Sequence, residues 1–145
     1  MNNKAARQWL SFILCLALIA AIALTAIGCD QAETPEVNDE NVPVTVKGEG
    51  DTIFYFNVVD KDGNLSKFEI HTDKTIVGDA LLELGLIAGE EGPYGLYVKS
   101  VNGITADYET DGVYWSFYEG DQMSMTGVDL TEIKAGATYA FKVSK

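Results

Sequence analysis

A nearly continuous apolar run, residues 10–28, decides how much of this chain can enter a water-soluble fold. Lys4 and Arg7 precede the run, and the sequence Ala-Ile-Gly ends it directly before Cys29. A positive start, an apolar middle and a small-residue end are typical of an export signal. We therefore expect residues 1–28 to be a lipoprotein signal peptide, cleaved so that Cys29 becomes a lipidated N-terminus.

The alternative is a signal anchor that stays uncut, because the run approaches the ~20 residues that a helix needs to cross a bilayer. In both cases the rest of the chain lies outside the cytoplasmic membrane. The expected location is the bacterial cell membrane, with the chain held by diacylglycerol and palmitate on Cys29 and facing the extracellular side.

The exported part has unusual charge and no usable thiol. Cys15 lies inside the apolar run and leaves with the signal peptide, and Cys29 is expected to be lipidated. The exported part therefore has no disulfide and no catalytic or metal-binding thiolate, so its core alone must stabilise the fold. Without Lys4 and Arg7, eight basic residues face 22 acidic ones. Nucleic acid is excluded as a partner because binding phosphates needs a cationic face. Membrane attachment must come from the lipid.

Residues 29–48 are expected to be the lipidated cysteine and an acidic tether, because "DQAETPEVNDEN" contains almost nothing to bury. Residues 49–145 then form one single-core domain, expected to be monomeric. Within the tether, Val42–Gly48 can form a first edge strand, with its proline tolerated near the start.

The pattern of the folded part predicts an α+β domain with a mixed sheet. A β-rich run over Thr52–Asp60, an Asp-Gly turn, and a strand with Phe68 and Ile70 on its buried face predict a hairpin. Another buried strand is predicted at the end of the chain, with Tyr139, Phe141 and Val143 on one face. We expect a β-grasp-like arrangement with one packed helix.

The helix is predicted after the hairpin. Thr75 or Asp73 can cap its start, and Gly85 is a natural stop. The following stretch Gly89–Gly95 is expected to be a loop. It leads into a strand that ends in an Asn-Gly turn, followed by an acidic connection, Thr105–Gly112.

The aromatic run "GVYWSFYEG" raises the question of a contact surface. Alternation places Val113, Trp115 and Phe117 on a core face. Tyr114 and Tyr118 then share the opposite face, where tyrosine suits either a contact surface or the cover of a second sheet face. The flexible side chains of Met123 and Met125 are expected on the neighbouring strand.

Two candidate sites for metal or catalysis are weak. His71 lies on the polar face of a strand, so we expect it to face solvent, and a lone histidine supports neither a catalytic triad nor a transition-metal site. Asp107, Glu109 and Asp111 resemble the first half of a calcium loop, but Tyr118 stands where the bidentate glutamate would be. An acidic hairpin loop is the simpler interpretation, with weak calcium binding left open.

Four segments in sequence, "TIVGDALLELGL", "GLYVKSVNGITADY", "GVYWSFYEG" and "TGVDLTEIKAGATYAFKV", resemble the transcobalamin-like C-terminal domain family of bacterial surface lipoproteins. That family is similar to the small β domain that closes over cobalamin in transcobalamin and intrinsic factor. The resemblance covers about residues 52–143. It implies a lid-like domain and places contacts at Tyr114, Trp115, Gly127 and Val128, with Tyr94 and Tyr97 lining the same side.

Two functions follow as expectations. The first is a lipid-anchored, non-catalytic binding module for a corrinoid or another small ligand, with contacts at the residues named by the resemblance and at Tyr118, Met123 and Met125. The second is a cell-surface protein-interaction or adhesion module without a small ligand. No resident cofactor is expected, and no convergent set of titratable groups indicates an enzyme.

Overall fold

The computed structural model describes residues 41–145. The expected signal peptide, Cys29 and most of the acidic tether lie outside the described residues. Within residues 41–145, no helix is long and apolar enough to cross a membrane.

A six-stranded mixed sheet forms the larger layer. Its strands are β1 (Val44–Gly48), β2 (Thr52–Val59), β3 (Leu65–Thr72), β7 (Tyr114–Glu119), β8 (Gln122–Met123) and β9 (Thr138–Ser144). They lie in the order β1-β3-β2-β9-β7-β8. Strands β2 and β3 form the predicted antiparallel hairpin, and β2 also pairs in parallel with β9. The parallel pair of β2 with the last strand, β9, at the centre of the sheet, together with a helix across the sheet, forms the expected β-grasp-like α+β fold.

The edge strand β1 pairs in parallel with β3, so the sheet begins at Val44. The predicted domain boundary at residue 49 therefore falls after the first strand of the sheet. All five residues of β1 are exposed, and the predicted edge strand within Val42–Gly48 is confirmed.

The turn between β2 and β3 is built around Asp60. Its carboxylate accepts hydrogen bonds from the backbone N–H groups of Asp62 (2.8 Å) and Asn64 (2.9 Å) and from the Asn64 side chain (2.8 Å). Burial acts to raise the pKa of Asp60, but these hydrogen bonds and that of the Gly63 N–H outweigh it, so the pKa lies below its ordinary value of 3.8. The turn is thus a fixed loop rather than a two-residue hairpin turn.

The core lies on one face of this sheet. Phe54 and Phe56 from β2, Ile70 from β3, and Tyr139 and Phe141 from β9 are almost fully buried there. The Phe54 ring contacts the Tyr139 ring edge-on, and the Phe56 ring contacts the Phe141 ring edge-on, which adds to the burial of apolar area. The predicted alternation of β3 and β9 is confirmed.

The helix α1 (Val77–Glu83) covers this core face with Val77, Ala80 and Leu81. Its predicted end is confirmed, because Gly85 has a φ of 65° and closes the last turn.

The predicted side-chain cap of α1 is wrong. The residue before the helix is Ile76, which offers no capping side chain, and the first N–H, that of Val77, donates instead to the carbonyl of Thr131 at 2.9 Å. The Asp73 carboxylate accepts from the Asp51 N–H at 3.0 Å. The carbonyl of Thr75 accepts a hydrogen bond from the N–H of Ile133, in the segment before β9. A long-range segment therefore takes the place of the local cap.

A second, three-stranded sheet packs on the same core. It consists of β4 (Ile87–Gly92), β5 (Gly95–Val101) and β6 (Ile104–Thr105), and β5 turns into β6 at the predicted Asn-Gly pair. The predicted loop over Gly89–Gly95 is wrong, because most of it belongs to the β4–β5 hairpin. Residues 88–91 are exposed, so the alternation that reveals a half-buried strand is missing.

The remaining elements follow β6. A short helix α2 (Tyr108–Asp111) forms within the acidic connection, and a 3₁₀ turn (Val128–Leu130) precedes β9. On β7 the predicted core face is confirmed, since Trp115 and Phe117 are buried and Val113 packs against the core.

Candidate binding site at the tip of hairpin β4–β5

The hairpin β4–β5 ends in a two-residue turn between paired glycines. Gly92 pairs with Gly95, and Pro93 and Tyr94 form the turn between them. Gly95 has a φ of 107°, a conformation that residues with side chains rarely adopt. The turn presents Tyr94 to solvent, with 96% of the residue exposed.

A concave surface of about 330 Å³ lies beside this turn, and its lining is continuous in sequence. It is lined by Glu90, Glu91, Gly92, Pro93, Tyr94, Gly95, Leu96 and Tyr97. The volume is at the lower end of the range for small-molecule sites. Two tyrosine rings and a proline offer flat apolar contacts, and two carboxylates offer hydrogen-bond acceptors. This lining suits a flat ligand that carries N–H or cationic groups.

Lys99 connects the base of the hairpin to its surroundings. Its Nζ lies 3.1 Å from Glu90 Oε2 and 3.5 Å from Asp107 Oδ2, and 5.9 Å from the centre of the Tyr97 ring. The hydrogen bond to Glu90 raises the pKa of Lys99 above its ordinary value of 10.5, against the opposing effect of burial. The ammonium group therefore lies beside Glu90 and Tyr97 on one face of the hairpin.

Asp129 of the 3₁₀ turn joins the hairpin from the other side. Its Oδ2 accepts from the Leu96 N–H at 3.2 Å, and its Oδ1 is buried with no hydrogen-bond partner among residues 41–145. A Cβ at Gly95 would lie 2.8 Å from Oδ2, and one at Gly127 would lie 2.5 Å from Oδ1. The carboxylate thus occupies space that only glycines leave open, and it brings the Gly127 segment next to the hairpin.

The expected contact residues therefore divide into groups. Tyr94, Tyr97, Gly127 and Val128 come together at the hairpin and the 3₁₀ turn. The side chain of Val128 itself is buried in the core, with 3% exposed.

Tyr114, Tyr118 and Met123 lie on the opposite, outer face of the large sheet. The Tyr114 ring contacts Tyr108 edge-on at 6.3 Å, and Lys142 Nζ lies 4.4 Å above the centre of the Tyr118 ring. Met123 pairs directly with Tyr118 and is half exposed. Met125 follows the strand and is fully exposed, so it is not on β8 as expected.

Trp115 belongs to neither surface. Only 7% of the residue is exposed, and its indole N–H is buried without a hydrogen-bond partner among the described residues. Any contact that Trp115 makes with a ligand would have to come from its backbone in this conformation.

Sequence reasoning did not name Glu90, Pro93 or Asp129 as parts of the site. The run Gly-Pro-Tyr-Gly could have indicated a turn that presents Tyr94, because glycine and proline favour tight turns. No local signal could have found Asp129, because its partner Leu96 is 33 residues away in the chain.

The weak metal and catalytic candidates have other contacts. The carboxylate of Asp107 accepts from the Glu109 N–H at 2.9 Å and so caps α2. His71 is half-buried rather than exposed, with Nε2 at 2.8 Å from Glu69 Oε1. Among residues 41–145, no group of three or more histidine, cysteine or acidic side chains could hold a metal ion.

No curated protein sequence matches this chain. One similar solved structure is the 1.30 Å crystal structure of a "putative metal binding protein" from Ruminococcus gnavus ATCC 29149, at 26% identity and a TM-score of 0.62. The match covers 66% of this chain and 98% of that one. Haptocorrin in complex with Cbi is also similar, at 17% identity and a TM-score of 0.48, over 65% of this chain and 25% of that one. The model of one family matches residues 73–145, which is just over half of the sequence, and the chain therefore belongs to the family described as Domain of unknown function (DUF4430).

Proposed function

We propose that this chain is a non-catalytic binding module, held outside the cytoplasmic membrane by a lipid on Cys29, and that the tip of hairpin β4–β5 binds a flat ligand of the corrinoid kind. The observation that carries the proposal is Tyr94, which is almost fully exposed on a glycine-flanked turn beside a concave surface. A constrained turn leaves little backbone conformational entropy to lose when a flat ligand covers its tyrosine.

The corrinoid class comes from the sequence resemblance to the transcobalamin-like C-terminal domains. The site is compatible with it, because a large ring with amide side chains would meet the Tyr94 and Tyr97 rings and the carboxylate of Glu90, which shares the face of the hairpin with Tyr97. Metal binding, which is named for the similar Ruminococcus gnavus protein, is not part of the proposal.

The test uses the exported chain, residues 30–145, which contains the whole described core. Cobalamin and cobinamide are titrated in, and corrinoid absorbance and the fluorescence of Trp115 are followed. We expect saturable binding that weakens by about two- to tenfold in Tyr94→Ala, the loss expected for one aromatic contact. Tyr55→Ala is the matched control, because Tyr55 is also exposed but lies on the outer face of the large sheet. Absence of saturable binding, or an equal loss in both variants, would refute the corrinoid proposal.

The lipid anchor has its own test in the full-length chain. We expect labelled palmitate to be incorporated by bacteria expressing the natural sequence and not by those expressing Cys29→Ser. Equal labelling of the two chains would contradict lipidation at Cys29.

A protein-interaction role is the second candidate, and the exposed methionines favour it. Met125 is fully exposed and Met123 is half exposed beside Tyr118, and methionine adapts to irregular partner surfaces. If this role holds, the exported chain should capture a protein from the cell surface. This capture should be lost in the double variant Met123→Ser, Met125→Ser and retained in Tyr94→Ala.

A further inference from the structure

A second cavity, of about 400 Å³, opens at the end of the core and shares no lining residue with the hairpin tip. It lies between the β2–β3 turn, β6, α2 and the start of β7. The residues that line it are Lys61, Ile104, Thr105, Ala106, Asp111, Val113 and Val143. Its apolar wall is continuous with the core, since Ile104, Val113 and Val143 pack against the buried cluster.

The rim of this cavity carries one cation and one anion. Lys61 comes from the β2–β3 turn, and Asp111 is the last residue of α2. Within residues 41–145, neither side chain forms an ion pair, with the other or with any third group. Opposite charges that line one cavity without pairing can each receive a ligand group of the opposite sign.

The backbones that carry the two charges are held in place. The hydrogen bonds of the Asp60 carboxylate fix the turn that contains Lys61. The side chain of Asp107 caps α2 at its start, and Gly112 ends it with a φ of 67°. The two charges therefore approach the cavity from fixed and separate elements.

We propose that this cavity binds an aliphatic α-amino acid. Such a ligand carries an ammonium group and a carboxylate on one carbon, next to a branched apolar side chain. Its carboxylate would meet Lys61, its ammonium group would meet Asp111, and its side chain would contact Ile104, Val113 and Val143. Leucine, isoleucine and valine match the aliphatic wall of the cavity.

The proposed site has a built-in optical reporter. Val143, which lines the cavity, is the cross-strand partner of Trp115, and Val113 lies two residues before Trp115, directly ahead of β7. Trp115 is the only tryptophan in residues 30–145. A ligand in the cavity should therefore change the tryptophan emission and the methyl NMR signals of the valines.

The experiment titrates the exported chain with leucine and with three analogues that lack one or both charges. These are 4-methylpentanoate, 3-methylbutan-1-amine and N-acetyl-leucine amide. We expect leucine to bind saturably. Lys61→Gln and Asp111→Asn should each weaken leucine binding about tenfold, and the double variant should abolish it. Binding of 4-methylpentanoate should respond only to Lys61→Gln, and that of the amine only to Asp111→Asn.

Matched controls are Lys47→Gln and Asp79→Asn, which remove exposed charges away from the cavity and should leave leucine binding unchanged. The proposal is overturned if leucine does not bind at millimolar concentration or if the uncharged amide binds as tightly as leucine. It is also overturned if the rim variants behave like the controls. Because both rim residues are exposed, unchanged far-UV circular dichroism will show that the variants are folded.

Discussion

Replacing Gly89 by alanine should separate the two strands of the hairpin that carries Tyr94. Gly89 lies at a bulge in β4, where its register with β5 shifts. A Cβ at Gly89 would lie 2.8 Å from the carbonyl carbon of Tyr97 and 2.9 Å from the Cα of Val98, closer than real Cβ atoms approach other heavy atoms. Both contacts are with backbone, so no rotamer change can relieve them.

The same strand offers a control three residues later. A Cβ at Gly92 would lie 3.4 Å from the nearest heavy atom, the carbonyl oxygen of Gly95, which is ordinary contact. Neither glycine has a left-handed φ. Gly92→Ala therefore changes only the conformational entropy of the unfolded chain. That change stabilises the fold by about 0.4–1 kcal/mol when the native backbone accepts alanine.

The magnitude follows from the difference between the two variants. Forcing an extra carbon into a packed position costs about 1–3 kcal/mol, and a clash with backbone belongs at the upper end of that range. The gain from the unfolded state is the same in both variants and cancels. Gly89→Ala should therefore be less stable than Gly92→Ala by about 3 kcal/mol, or by more than about 10 °C in Tm for a fold of this size.

Urea denaturation and thermal unfolding of residues 30–145, both followed by circular dichroism, measure this difference. Ligand titration of the two variants should show the same order, because the hairpin carries the candidate site. Equal stability of Gly89→Ala and Gly92→Ala would refute the steric reasoning, since it would mean that β4 moves off β5 without cost.

Three further predictions concern buried or constrained groups. Tyr139→Phe should lower the free energy of unfolding in urea by about 1–3 kcal/mol. The reason is that the phenol oxygen accepts from the Lys134 N–H at 3.0 Å and donates to the Glu132 carbonyl at 3.1 Å. Asp60→Asn should destabilise the fold at pH 7, because the ionised carboxylate of Asp60 is stabilised by its hydrogen bonds in the folded chain. The difference in stability from the natural chain should shrink as the pH falls below 3.8 through the lowered pKa of Asp60, because the carboxylate becomes protonated there. Gly85→Ala should lower Tm by an amount equivalent to about 1 kcal/mol, because its φ of 65° is unfavourable for alanine.

The pattern of apolar residues predicted most of the sheet. Phe68 and Ile70 on β3, and Trp115 and Phe117 on β7, alternate with polar or tyrosine positions, and each pair is buried as expected. Alternation works there because one face of the large sheet meets the core and the other meets water. The stop of α1 at Gly85 was also predictable, because it depends on one residue's backbone freedom.

Long-range contacts explain the predictions that were wrong. Ile76 needs no capping side chain because the chain returns some 55 residues later and offers the Thr131 carbonyl to the first helical N–H. Strand β4 shows no alternation because residues 88–91 are exposed, so only its ladder with β5 defines it. Neither contact leaves a mark in the local sequence.

Tyr94 and Tyr118 lie on different faces of the domain, so a lid-like domain could cover a ligand with only one of them. Tyr118 lies on the outer face of the large sheet, whereas the hairpin that carries Tyr94 packs on the core side, where Val98 and Val101 join the same cluster as Phe54. A ligand that covers Tyr94 therefore leaves Tyr118 uncovered. If a second protein closes over the ligand at the hairpin, the outer face with Tyr118 and its Lys142 contact remains available, and substitutions there should leave corrinoid affinity unchanged.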